Sequence, residues 1–313
     1  MLNSYLYLSY HRPHPPYDPP AWAFEHFLHA PLPPPAIGDW AEDGGGRWDS
    51  FSHDTMRGKL RPDLLRRARA GYFGHMMHLD QQINRFLYTL REYRLYENTW
   101  ICFTSDHGEL LGDHYLFRKS LPYEGSARVP LLLRAPGSET LPRGAISDAL
   151  VEQRDLMPTL LAAADLPIPA SIEGCNLLPV ARGDVAAVRD VLHGELGLSP
   201  EQMLSSTGQS AQWLTDGRWK YIWFSADGRE QLFDLRDDPM ECRDLARNGS
   251  AEALLQPWCE RLVAFLAGRE EGFVQHGRLV PGRKVVATLR HPKPAVTLNN
   301  MSARRAASVR STL

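Results

Sequence analysis

This sequence has no run approaching the ~20 consecutive apolar residues needed to span a bilayer, so no transmembrane helix is expected in its 313 residues. Its start, Met1-Leu2-Asn3-Ser4 leading straight into Tyr5-Leu6-Tyr7-Leu8-Ser9-Tyr10, lacks the basic flank, apolar core and small-residue cleavage site of a secretory leader. As written, the chain reads as cytoplasmic. An excess of charge is also missing: 35 Lys and Arg against 37 Asp and Glu leave a formal net charge of -2. That balance argues against a nucleic-acid binder and gives no reason to expect membrane binding. Cysteine is scarce. Cys102, Cys175, Cys242 and Cys259 form no C-x-x-C pair, so zinc-type spacing is absent, and they are too few and scattered for a disulfide scaffold. Cys102 falls in an apolar run and reads as core, while one bridge among the other three stays open.

What is present is ordinary globular material, 43% hydrophobic and 23% charged, enough for one large domain or two modest ones. Residues 5–10, aromatic and aliphatic without charge, read as a buried strand. A chain that opens in such a strand reads as truncated. A proline-rich loop follows over 13–35, then a surface loop over 36–60. Within 62–96, Tyr72, Met76, Leu79, Ile83, Phe86 and Leu90 recur every three or four positions, which predicts a long helix with one apolar face. Pro62 suits its first turn, and Gly71 and Gly74 weaken it locally. Residues 100–104 and 129–133 read as short apolar strands, and 155–164 as a helix that Asp155 can cap. Strands alternating with helices predict an α/β layer with parallel pairings.

The pattern changes beyond residue 185. Residues 191–195, 212–214, 219–224 and 230–235 are short strand-like runs, and Asp216-Gly217 and Asp227-Gly228 mark hairpin turns. A small antiparallel sheet is expected there, then a helix over 251–268 and a poorly ordered tail over 285–313. The expected division is therefore 1–185, 186–284 and the tail.

The sharpest chemical feature is Thr104-Ser105-Asp106-His107-Gly108-Glu109. Open α/β sheets place ligands at the carboxyl ends of their strands, and Asp106 and His107 stand at such an end. Carboxylate and imidazole side by side suit a divalent metal. Asp106 capping a helix, with His107 merely exposed, fits the tetrapeptide as well. Lys119, beyond Leu111-Gly112-Asp113-His114, supplies an ammonium that can neutralise the oxygens of a sulfate or phosphate, unless it is only a solvated loop lysine. In Arg12-Pro13-His14-Pro15-Pro16 the prolines fix the backbone around His14. A held histidine there can bind an anion or protonate a leaving oxygen, or it can be an ordinary loop residue. Trp40, Trp48, Trp213 and Trp223 could stack on sugar or aryl rings, although packing is the commoner role.

These residues together resemble the sulfatases of the alkaline phosphatase superfamily: arylsulfatases, iduronate-type sulfatases and phosphonate monoester hydrolases. The second metal-binding segment of that family is similar to residues 103–109, Lys119 and Ser126-Ala127-Arg128-Val129-Pro130. Tyr7 to Pro16 resembles its strand ending in a proline-flanked, substrate-contacting histidine. Asp155-Leu156-Met157-Pro158-Thr159-Leu160-Leu161, Glu173-Gly174-Cys175-Asn176 and Thr215-Asp216-Gly217-Arg218-Trp219-Lys220-Tyr221 resemble its later motifs. The resemblance implies an alkaline-phosphatase-like mixed sheet flanked by helices, present in part. It implies Asp106 and His107 as metal ligands, Lys119 and His14 as catalytic and substrate-binding groups, and calcium, or manganese in some phosphonate hydrolases, as the ion. The implied activity is hydrolysis of a small-molecule or glycan sulfate ester.

The family nucleophile is a formylglycine made from cysteine in a Cys-x-Pro/Ala-x-Arg segment. None of the four cysteines has that context, and the family's first acidic metal-ligand strand is absent too. The chain alone is therefore expected to turn over little, to bind metal weakly and to leave apolar sheet surface uncovered. Two alternatives remain: a phosphonate or phosphate ester hydrolase of the same fold, and a non-catalytic protein that binds an anionic glycan or a partner.

Overall fold

The apolar spacing of residues 62–96 folds, in a computed structural model that describes residues 4–43, 47–48, 56–138, 141–197, 210–247 and 252–283, into a 31-residue helix, Pro62–Glu92, with Pro62 in its first turn. The expected apolar stripe is only half covered, and Met76 is exposed. The deeply buried face instead carries Ala68, Arg69, Ala70, Gly71, Gly74 and His75. The glycines that cost helix propensity admit close neighbours here. A Cβ on Gly71 would lie 2.6 Å from the Tyr17 carbonyl oxygen, and one on Gly74 would lie 2.8 Å from Pro19. The shorter helix α1 (Ala21–His29) packs against this one, α2, and the proline-rich segment before it carries His14.

Residues 5–10 are not a buried strand. They pair with nothing among the described residues, and Tyr5, Leu6 and Tyr7 are 74%, 67% and 75% exposed. Their composition suits a central strand, but a strand is buried only where neighbours pair its edges and cover its faces. The expected parallel pairings are corrected as well. Strand β3 (Ile101–Thr104) pairs antiparallel with β4 (Leu131–Arg134), Cys102 opposite Leu133. No crossover helix links them. The connection is the site loop with one short helix, α3 (Glu124–Ala127), and it turns the chain back beside β3. The parallel pair among the described residues is β1 (Arg47–Trp48) with β2 (Lys59–Leu60). Phe103 and Leu132 leave apolar surface open on the β3–β4 pair, as expected.

Asp155 does not cap its helix, α4 (Leu156–Ala163), with its side chain. Fully buried, it accepts both arms of Arg189 at 2.6 Å, together with the amides of Cys175 and Glu152. Helix α5 (Leu178–Arg182) follows. Four strands then form one antiparallel sheet, β5 (Leu192–Leu196), β6 (Ala211–Thr215), β7 (Trp219–Phe224) and β8 (Glu230–Asp234), in that order. Both Asp-Gly turns stand where expected, with Gly217 and Gly228 at φ of 89° and 83°, a region that glycine enters without strain. Helix α6 (Glu252–Leu266) covers one face through Trp258, Leu262 and Leu266. The other face packs on Trp40, Leu110, Leu116, Leu121 and Tyr123, residues of the loops around the site. Strands β9 (Val274–Gln275) and β10 (Arg278–Leu279) close the described chain. The fold is α/β with a small antiparallel sheet plus helix. The four cysteines are free, which settles the open bridge. Trp40, Trp213 and Trp223 are packing residues, the side chain of Trp48 lies outside the described residues, and so does the tail over 285–313.

Candidate active site

The site loop leaves β3 and is held at almost every polar position. Ser105 Oγ donates to the His107 carbonyl at 2.7 Å, and the Gly108 amide donates to the Ser126 carbonyl at 2.8 Å. A Cβ on Gly108 would stand 2.2 Å from the Gly125 oxygen, so only glycine lets the loop lie on α3. The Asp106 side chain is 86% exposed, with Oδ1 taking the His107 amide at 3.1 Å. No helix begins at His107, so the capping alternative falls away. The His107 Nδ1 donates to the Gly108 carbonyl at 2.7 Å, which turns Nε2 toward Asp106 Oδ2, 3.7 Å away. A backbone carbonyl on the far nitrogen is the usual support of a metal-binding histidine. The pair therefore fits a divalent cation as two of its ligands. No group of three or more His, Cys, Asp or Glu that could hold a metal occurs among the described residues.

Lys119 reaches the same place from the far end of the loop. Glu109 organises that end, accepting the amides of Leu111 and Arg118, with Tyr17 nearby. Burial pushes the Glu109 carboxyl up, against those hydrogen bonds. Lys119 Nζ stands 2.9 Å from His14 Nε2. His14 Nδ1 faces the Pro15 carbonyl at 2.9 Å, so its proton sits on Nδ1 and Nε2 accepts from the ammonium. Arg12 fixes this turn by donating to the His14 carbonyl at 3.0 Å while pairing with Asp18 at 2.8 Å. Burial, then the charges of Lys119, Arg118 and His11, lower the His14 pKa, despite the Pro15 hydrogen bond. Burial and Arg118 likewise pull Lys119 down. The rings of His14 and His107 lie 6.1 Å apart, centroid to centroid. All four residues singled out in the sequence therefore meet. The cluster presents a carboxylate–imidazole pair beside a cationic grip, which suits a tetrahedral anion bound through a metal.

Sequence reasoning missed Glu109, Tyr17 and Gln153. Glu109 sits in the motif itself, and its only signal was that position. Gln153 donates from Nε2 to the carbonyls of Ser105 and Asp106 at 2.8 and 2.7 Å, with nothing in the sequence to mark it. His114 in the same loop is buried packing, with the Trp40 ring tilted against it at 4.6 Å, and it accepts the Gly38 amide.

With this geometry in view, the likeness to known proteins is specific. The sulfatase family pattern matches residues 3–166, and the carboxyl-terminal pattern of N-sulphoglucosamine sulphohydrolase matches 112–267. An arylsulfatase of Clostridium perfringens is 38% identical over 290 residues, 92% of this chain and 58% of that protein. The chain belongs to the sulfatase family. The multifunctional alkaline phosphatase superfamily protein PehA of Trinickia caryophylli is 28% identical over 88% of the chain and 58% of its own length. The crystal structure of the phosphonate monoester hydrolase of Agrobacterium radiobacter shares the fold, with a TM-score of 0.67 at 24% identity over 82% of this chain and 55% of that one. This sulfatase-family chain thus spans less than two thirds of the length of the relatives it matches. Among its described residues, no helix is long and apolar enough to cross a membrane.

Proposed function

We propose that this chain supplies the metal- and anion-binding part of a sulfuric ester hydrolase of arylsulfatase type, acting on small-molecule or glycan sulfate esters. The observation that carries this reading is the Lys119–His14 contact of 2.9 Å set beside the Asp106–His107 pair. Asp106 and His107 hold a divalent cation, calcium or manganese. When bound, that ion stabilises the negative charge on the ester oxygens. Lys119 donates to the non-bridging oxygens. His14 Nε2 faces the same space. Its lowered pKa keeps the imidazole neutral in the free site, and an arriving anion favours the protonated form, which can then protonate the leaving oxygen. Residues 1–185 belong to the catalytic α/β domain in this reading, and 186–284 form a subdomain that braces the site loop.

No group among these residues serves as the nucleophile, because none of the cysteines lies in a Cys-x-Pro/Ala-x-Arg segment. A site that works as a unit loses most of its rate without the attacking group. The purified chain with calcium or manganese is therefore expected to hydrolyse aryl sulfates and phosphonate esters little or not at all. Substantial turnover that His107→Ala abolishes contradicts this. The likeness to the phosphonate monoester hydrolase of Silicibacter pomeroyi, 26% identical over 73% of this chain, supports a second reading, a phosphonate or phosphate ester as substrate. Lys119 and His14 serve either anion, so competition between inorganic sulfate and methylphosphonate for the site separates the two.

A further inference from the structure

We infer that Gln153 is a positioning residue that sets the direction of Asp106 and His107 by clamping the backbone on both sides of Asp106. Its single carboxamide nitrogen has two hydrogens, and the two carbonyls it meets, Ser105 at 2.8 Å and Asp106 at 2.7 Å, use both. Fixing those carbonyls fixes the two peptide planes that carry the Asp106 Cα, and with them the direction of its Cβ. The opposite side of the loop is held separately, by the Gly108 amide on the Ser126 carbonyl and by Ser105 Oγ on the His107 carbonyl. The Asp106 carboxylate is exposed and takes the neighbouring amide, and among the described residues no side-chain hydrogen bond from outside its own loop restrains it.

Gln153 is itself anchored. It opens the 3-10 turn Gln153–Asp155, where Glu152 and Asp155 form a reciprocal capping box. Asp155, fully buried, is gripped at both oxygens by Arg189 at 2.6 Å. Arg189 also donates to the Leu150 carbonyl, so both ends of the turn are tied to the segment leading into β5. A rigid turn thus holds a reaching amide against the metal-pair loop. The side chain of Gln153 is solvent-exposed, so water can take over its hydrogen bonds when it is removed. The loss should show in loop order and not in global stability.

The inference rests on the reading of Asp106 and His107 as a metal pair, and the test separates the two. Amide hydrogen exchange of the peptide 104–110 in Gln153→Leu should speed up about tenfold, while 219–224 in the carboxyl-terminal sheet stays unchanged. Gln153→Lys, which also presents several donors on a long stem, should restore the protection, and Gln153→Glu should not. Mn2+ affinity by water-proton relaxation should fall about tenfold in Gln153→Leu. Unchanged exchange in Gln153→Leu overturns the inference. So does an equal increase over 219–224, or an unchanged Mn2+ affinity once protection is lost. If the exchange pattern appears as stated but the unsubstituted chain binds no Mn2+, the metal reading fails and the clamp stands.

Discussion

Lys220→Met lowers the unfolding free energy by about 3–5 kcal/mol at pH 7. Lys220 stands on β7 with its side chain 1% exposed, between Glu124 Oε1 at 2.9 Å and Glu241 Oε1 at 3.0 Å. Burial alone would pull its pKa down, but the two carboxylates outweigh burial and raise it, so the ammonium is charged in the fold. Glu241 is equally buried and takes the Glu124 amide at 2.7 Å through its other oxygen. Methionine fills a similar volume without the charge, and two carboxylates are then left, the buried Glu241 without the Lys220 ammonium and the partly exposed Glu124 with Arg128 at 3.8 Å. Glu241 escapes only by taking up a proton, so the penalty should be largest near neutral pH and shrink as pH falls. Adding Glu241→Gln to Lys220→Met should recover part of the loss. Urea unfolding at pH 5.5 and 7.5 checks both statements, with the slope showing whether the denatured state has changed. A loss under ~1 kcal/mol at pH 7.5 would show that the cluster contributes no more than a surface pair.

His114 is expected to supply a large single-residue pH dependence of stability on the acid side of neutrality. Burial lowers its pKa from 6.5 to about 4, despite the nearby Asp238 and the Met240 carbonyl. The fold thus binds fewer protons here than the unfolded chain. The contribution is complete above pH 6.5 and is lost as pH falls toward 4. At ~1.4 kcal/mol per unit, a depression of this size amounts to about 3 kcal/mol. In His114→Gln, which keeps a donor and an acceptor, the fall in stability between pH 7 and 4.5 should be smaller by roughly 2 kcal/mol. Parallel profiles for the two proteins would contradict this. The comparison must be of variant against parent, because buried carboxyls with raised pKa, such as Glu109 and Asp244, act in the opposite direction over the same range.

These two groups show how the carboxyl-terminal sheet reaches the site. Lys220 holds Glu124, the first residue of α3, and α3 receives the Gly108 amide next to His107. Trp40 stacks between the site loop and the sheet at 4.5 Å from Tyr123, and donates to the Glu241 carbonyl at 2.7 Å. The sheet therefore acts as the floor on which the loop carrying Lys119 and His107 is built.

The sequence reading succeeded where information was local. Helix α2 followed from apolar spacing, the hairpins from Asp-Gly pairs, and the meeting of Asp106, His107, Lys119 and His14 from the motifs that carry them. It failed where partners decide the outcome. Residues 5–10 have a strand's composition, but nothing among the described residues pairs with them. The antiparallel return of β4 depends on the shape of the site loop, which no periodicity encodes. Nothing local in the sequence shows what surrounds Lys220, because Glu124 and Glu241 converge on it from 96 and 21 positions away. Asp155 reads as a helix cap, and only the fold shows that Arg189 claims it. Gln153 has no sequence signature, since its role lies in two backbone carbonyls.

The most direct test of the anion site is a titration of the purified chain with inorganic sulfate in the presence of calcium, following the His14 ring nitrogens by NMR. The account predicts that sulfate raises the His14 pKa and shifts Nε2, and that Lys119→Ala weakens the response about tenfold, as expected for loss of a charge-assisted contact. A His14 ring that does not respond to sulfate, or responds equally well without Lys119, contradicts it.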